Sequence, residues 1–130
     1  MTQSVAVLLT ALLFGGMALY SFGFAAFLFA VLPAETAGLA LRQAFPLFYL
    51  FVFIKAVLAS AFLWPHDPLA GALMALVAIT TVPARQTLMP AINRATDSGQ
   101  RRHFKWLHGL SVVITLAHIA AAGFALVRLV

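Results

Sequence analysis

The side chains able to do chemistry in this sequence are few, and most stand inside apolar runs. Lys55 follows Phe45 by ten residues and precedes Trp64 by nine, ~14–15 Å from either end of a regular helix, which predicts a position close to mid-membrane. Insertion of Lys at that depth costs ~2.5–3.5 kcal/mol, and the Leu, Ile, Val and Phe residues of the same run return ~3–7 kcal/mol, so the segment inserts in spite of it. An ionisable residue there points to a polar cavity or an intramembrane partner. His108, Ser111, Thr115 and His118 are spaced 3, 4 and 3 apart, the helical repeat, and form one polar stripe. Tyr20, Ser21, Thr80 and Thr81 fall at depths from which they can join it.

Two meanings fit this set. In one, Lys55, His118, Thr115, Ser111 and Tyr20 line a polar pocket near the bilayer centre that binds or passes a small anion, a proton or a polar headgroup. In the other they are glue, since Ser, Thr and His hydrogen-bond across membrane helices for ~0.6–2 kcal/mol each. His108, beside Arg101, Arg102 and Lys105, could hold a lipid phosphate or make only interfacial hydrogen bonds. Metal and cofactor chemistry finds little support. His108 and His118 are separated by ~15 Å of helical rise and cannot share a haem within one chain. With no cysteine there are no thiolate ligands, and Met17, Met74 and Met89 read as gap fillers. Glu35, Asp67 and Asp97 all lie outside the spans, so no pair of carboxylates and no nucleophile–base set is available. The expectation is no enzyme, no cofactor and no metal.

The elements that position these groups are transmembrane helices. Of 130 residues 64% are hydrophobic and 8% charged, and the mean hydropathy is +1.05, far above that of soluble domains. The length suits a single domain of four spans. Residues 5–32 form one run with no charged side chain; no Lys or Arg precedes it, and it is too long for a secretory signal. Pro33 ends it and opens a short interfacial helix over 34–45, with Glu35 early and Arg42 late as the helix dipole favours. Spans follow at about 46–64, 69–92, kinked near Pro83 and Pro90, and 104–127, with Asn93 to His103 as a solvated basic loop and Arg85 snorkelling to the interface. The fold class is therefore all-α, an integral membrane bundle of four transmembrane helices plus that interfacial helix.

Arg42, Arg85, Arg94, Arg101, Arg102 and Lys105 fall on one side of this layout and only Arg128 on the other. The positive-inside rule then puts both termini outside the cytoplasm, in a cell inner (plasma) membrane. The net charge of +5 is explained by orientation and by anionic lipid at the basic loop, with no nucleic acid partner. Ala11, Gly15 and Ala18 on the first helix, and Ala117, Ala121 and Ala125 on the fourth, make smooth faces. Such faces pack the two helices together or join copies into a homo-oligomer.

Several strings in combination, Gly15-Gly16-Met17, Leu32-Pro33, Phe45-Pro46 with Phe48-Tyr49, the proline-bearing stretch Arg85 to Pro90, and Phe104 with His108-Gly109-Leu110-Ser111, resemble the transmembrane protein 205 family, whose bacterial members are catalogued under a domain of unknown function. The likeness runs from Gly15 to Thr115, a position where the family carries Asn. It implies a four-helix membrane protein with no established reaction and carries over His108 and Ser111 as candidate residues. A more distant likeness to helical proteins of the copper-resistance D and protoporphyrinogen-oxidase type implies haem. The function expected from the sequence is binding or translocation of a small polar ligand or proton. The alternatives are an accessory subunit of a membrane complex and a haem or metal protein.

Overall fold

A computed structural model describes residues 1–130. Four helices, α1 (Thr2–Val31), α2 (Ala34–Leu63), α3 (Pro68–Asp97) and α4 (Arg101–Leu129), run antiparallel, each long and apolar enough to cross a membrane. At 29 or 30 residues they are ~45 Å long against a hydrocarbon core of ~30 Å. Their ends therefore project on both sides. The α1–α2 and α3–α4 turns share one end with Arg42, Arg94, Arg101, Arg102 and Lys105, here the basic end; both termini and the α2–α3 turn share the other, the terminal end. Around the bundle α1 packs on α2 and α4, and α3 packs on the same two, so α2 and α4 stand diagonally apart.

Local chemistry sets the helix boundaries. Leu32 and Pro33 are extended, with ψ of 153° and 144°, and proline cannot continue α1 while it readily starts α2. The 34–45 segment is helical as expected, but it is the first part of α2 and not a separate interfacial element. Pro46 removes the donor to the Arg42 carbonyl, four residues earlier, but the helix continues because an interrupted backbone is costly in lipid; two side chains also reach carbonyls near it. Tyr20 Oη donates to Ala44 O at 2.8 Å and Arg85 Nε to Pro46 O at 3.1 Å. The basic loop is also shorter than the sequence suggested: residues 93–97 and 101–103 are helical, leaving Ser98, Gly99 and Gln100, with Gly99 at φ +70°, where glycine is favoured. Ser98 Oγ donates to Arg94 O at 2.6 Å and so closes α3.

Two π-helical turns interrupt the regular helices, Leu19–Phe24 in α1 and Ala84–Leu88 in α3, the second at the place of the kink expected near Pro83 and Pro90. Together with Pro46 they lie at one level of the bundle, slightly toward the basic end. The core is densest in the terminal half, where Leu13, Met17, Leu63 and Met74 are fully buried. There the α2–α3 hairpin closes tightly: a Cβ on Gly71 would lie 3.1 Å from the Trp64 backbone.

Asp67 caps α3 through the backbone N–H groups of Leu69 and Ala70 at 3.1 and 3.2 Å, and its Oδ2 accepts from Arg128 Nε at 2.7 Å. The Arg128 hydrogen bond, aided by the Ala70 N–H, holds the Asp67 carboxyl below its ordinary value of 3.8. A depressed carboxylate contributes stability that is present above the unfolded value and lost as pH falls through the folded one. The melting temperature should therefore drop on acidification from ~pH 5 to ~pH 3. Asp67→Asn, which keeps the cap and loses the ion pair, should flatten that dependence; an unchanged slope, followed by thermal unfolding in detergent, would contradict this assignment.

Candidate functional site

Because α2 and α4 pack on α1 and α3 and stand diagonally apart, the bundle holds a gap wherever no large side chain fills its middle. In the terminal half the buried Leu and Met residues fill it. In the basic half they do not, since α4 contributes no buried residue before His118. The result is a cavity of about 670 Å³ between the first half of α2, the end of α3 and the start of α4. This is the size of a site for a small organic ligand.

Its wall is mainly apolar, with Phe45, Met89 and Ile92 among the lining residues. At the mouth Arg42 Nη1 and Nη2 donate to Asp97 Oδ1 and Oδ2 at 2.7 and 2.6 Å. This two-pronged pair ties α2 to α3 and is half open to solvent, so solvent screening leaves it little net worth. It is a contact that a ligand can displace cheaply. Deeper in, at the middle of α2, Tyr49 lines the cavity. It is 5% exposed, and its hydroxyl makes none of the side-chain hydrogen bonds of the structure. The hydroxyl is not sealed off, so its O–H is free to donate to a ligand acceptor in the cavity, a net gain of ~0.5–1.5 kcal/mol.

The residues singled out from the sequence divide into separate groups. His108 and Ser111 line the cavity; the His108 ring stacks on Phe104 at 5.4 Å, and Ser111 Oγ donates to His108 O at 2.7 Å. His118, 8% exposed, instead pairs with Thr80 Oγ1 at 2.7 Å and joins α4 to α3. Thr115 is half-buried and makes no side-chain hydrogen bond. Tyr20 is taken by Ala44 and stacks on Phe48 at 4.9 Å, so it belongs to the α1–α2 contact.

Lys55 is half-buried and forms no hydrogen bond or ion pair. It lies one turn beyond Phe51, whose ring abuts Gly16 of α1, on the helix diagonal to His118. The expected layer joining Lys55 to the α4 stripe is therefore not formed. The reason is the length of α2: starting at Ala34 rather than Pro46, it shifts Lys55 ~10 Å from the helix middle toward the terminal end, within snorkelling reach. The cation near the middle is Arg85, ~4 Å from the centre of α3 and hydrogen-bonded inside the bundle rather than extended to the interface. Sequence reasoning missed Arg42, Asp97 and Tyr49 as site residues. The available signal was that the chain has two tyrosines, both within apolar runs.

A family model described as "Domain of unknown function (DUF4149)" matches residues 8–101. No curated protein and no solved structure matches the chain. The matched stretch includes Arg42, Tyr49 and Asp97 and stops before His108 and Ser111.

Proposed function

We propose that this chain, which belongs to the DUF4149 family, is a membrane binding protein whose cavity between α2 and α4 receives a small amphiphile with an apolar body and a hydrogen-bond acceptor. The observation that carries this is Tyr49, a buried residue that lines that cavity and whose hydroxyl has no partner in the protein and is not sealed off. The ligand would enter from the basic end by parting Arg42 from Asp97, with its acceptor reaching Tyr49. Binding is favoured over passage, because Leu13, Met17, Leu63 and Met74 close the terminal half. In this reading the basic end faces the cytoplasm of an inner membrane, both termini lie outside, and anionic lipid attends the exposed Arg101, Arg102 and Lys105.

The resemblance to the transmembrane protein 205 family supports the same picture, in that its His108–Ser111 string lies on the cavity wall. An accessory role in a larger complex, or self-association, is the second reading. It is favoured by the way His118–Thr80 and Tyr20–Ala44 join helices of the bundle.

The test uses prodan, a naphthalene ketone whose emission reports hydrogen bonding to its carbonyl, with the full chain in lipid nanodiscs. We expect saturable binding above that of empty discs. Tyr49→Phe should weaken it ~2–10-fold, the worth of one hydrogen bond, and shift the emission to that of an unbonded ketone. Absence of saturable binding, or Tyr49→Phe indistinguishable from the parent chain, would reject the proposal.

A further inference from the structure

The cavity between α2 and α4 has a charge as well as a shape. Among its lining residues the ionised side chains are Glu35, Arg42 and Asp97, and the one histidine is His108. With histidine neutral at pH 7, the wall carries two negative charges and one positive. Arg42 and Asp97 neutralise each other through their paired hydrogen bonds at 2.7 and 2.6 Å. Glu35 is left over, since it is exposed and makes no ion pair. The surface around this end of the bundle is basic, with Arg94, Arg101, Arg102 and Lys105 all exposed. None of those four lines the cavity, and salt screens solvated charges beyond ~8 Å. The mouth is therefore an acidic opening in a basic surface, and parting Arg42 from Asp97 leaves its balance unchanged.

The depth of each group also suits a charge at one end only. Glu35 is in the first turn of α2, ~20 Å from the helix centre and so outside the ~15 Å half-thickness of a hydrocarbon core. An ion beside it stays at the interface. Phe29, in the last turn of α1, and Phe104, in the first turn of α4, line the cavity at this same end, and aromatic faces attract an ammonium. Tyr49, fourteen residues beyond Glu35, is at the middle of the helix. The ~21 Å of rise between them suits a saturated chain of about twelve carbons with a polar contact at each end.

We propose that the ligand of this cavity is a single-chain amphiphile with one positive charge, its ammonium beside Glu35 at the interface and its acceptor, at the far end of the chain, on the Tyr49 hydroxyl. This assignment rests on the cavity being a binding site for an amphiphile. Occupied in this way the wall has no net charge, whereas a carboxylate would raise its negative excess to two.

The test is calorimetric titration of the full chain in phosphatidylcholine nanodiscs, with the signal of empty discs subtracted. Three chains that share a terminal hydroxyl as acceptor and differ only at the other end are compared: ω-aminododecanol, α,ω-dodecanediol and ω-hydroxydodecanoate. The ammonium should bind ~3–10-fold tighter than the diol, as expected for a solvated ion pair with an aromatic contact, and the carboxylate should bind weakest. Glu35→Gln should cut the preference for the ammonium ~2–5-fold, and Glu35→Lys should place the carboxylate above it. Equal binding of ammonium and diol by the parent chain, or tighter binding of the carboxylate, overturns the proposal. So does an unchanged preference in Glu35→Gln, or a Glu35→Lys chain that still favours the ammonium. Saturable prodan binding with no preference for the ammonium rejects the charge assignment alone, whereas absence of saturable binding for prodan and all three chains rejects the cavity as a site.

Discussion

Lys55→Leu should raise the thermal stability of the bundle and leave ligand binding unchanged. At the centre of a span the two residues differ by ~3–4 kcal/mol on the insertion scale. Lys55 stands ~10 Å off the middle of α2 and can reach toward water, so a gain of ~1–3 kcal/mol is expected. Nothing in the protein is lost in exchange, since the ammonium makes no hydrogen bond and no ion pair and does not line the cavity. Had Lys55 been the centre of a mid-membrane polar site, as its spacing in the sequence suggests, the same substitution would cost function. A thermal melt and a prodan titration on one preparation distinguish the outcomes. A destabilised chain, or one that no longer binds, would restore Lys55 as a functional group.

Ser111→Trp should abolish prodan binding, by ~100-fold or more in Kd, equivalent to ~2.7 kcal/mol. Ser111 is on the cavity wall, and its only hydrogen bond is to the His108 carbonyl of its own helix. An indole at this position would project into the 670 Å³ space between α2 and α4 without displacing a packed side chain. Overpacking a filled core costs ~1–3 kcal/mol, whereas filling a void should leave the melting temperature level or higher. The combination of lost binding and retained stability identifies an open cavity. Retained binding would move the ligand elsewhere, and a marked loss of stability would mean that the helices close on each other there.

Much of the architecture is legible because membrane insertion leaves few alternatives: four apolar runs, at about 5–32, 46–64, 69–92 and 104–127, must be helices. Helix ends were harder to place. Lipid sets the length of the apolar run but not of the helix, so α2 begins at Ala34 and α3 persists to Asp97 through polar sequence. That misplacement carries into the site, since the depth of Lys55 is counted from Phe45 and Trp64. The α4 periodicity put His108, Ser111 and His118 on one stripe, of which His118 is buried while the exposed His108 and half-buried Ser111 line the cavity. Which neighbour each would meet depends on the order of helices around the bundle, and hydropathy does not encode it. His118 therefore found Thr80 on α3, and Lys55, one helix too far, found no partner. The Arg42–Asp97 pair joins residues 55 positions apart and has no local signature.

The most direct measurement exploits the absence of cysteine in the chain. Single substitutions Ser111→Cys and Val113→Cys, in proteoliposomes, are treated with a small membrane-impermeant thiosulfonate on the basic side. Ser111 lines the cavity and Val113, two residues on and 62% exposed, is on the outer face of α4. A hydrated binding cavity predicts rapid labelling of Ser111→Cys, slowed by prodan, and none of Val113→Cys. An unreactive Ser111→Cys beside a reactive exposed control at Arg101→Cys would show a closed seam between α2 and α4 and contradict the proposed function.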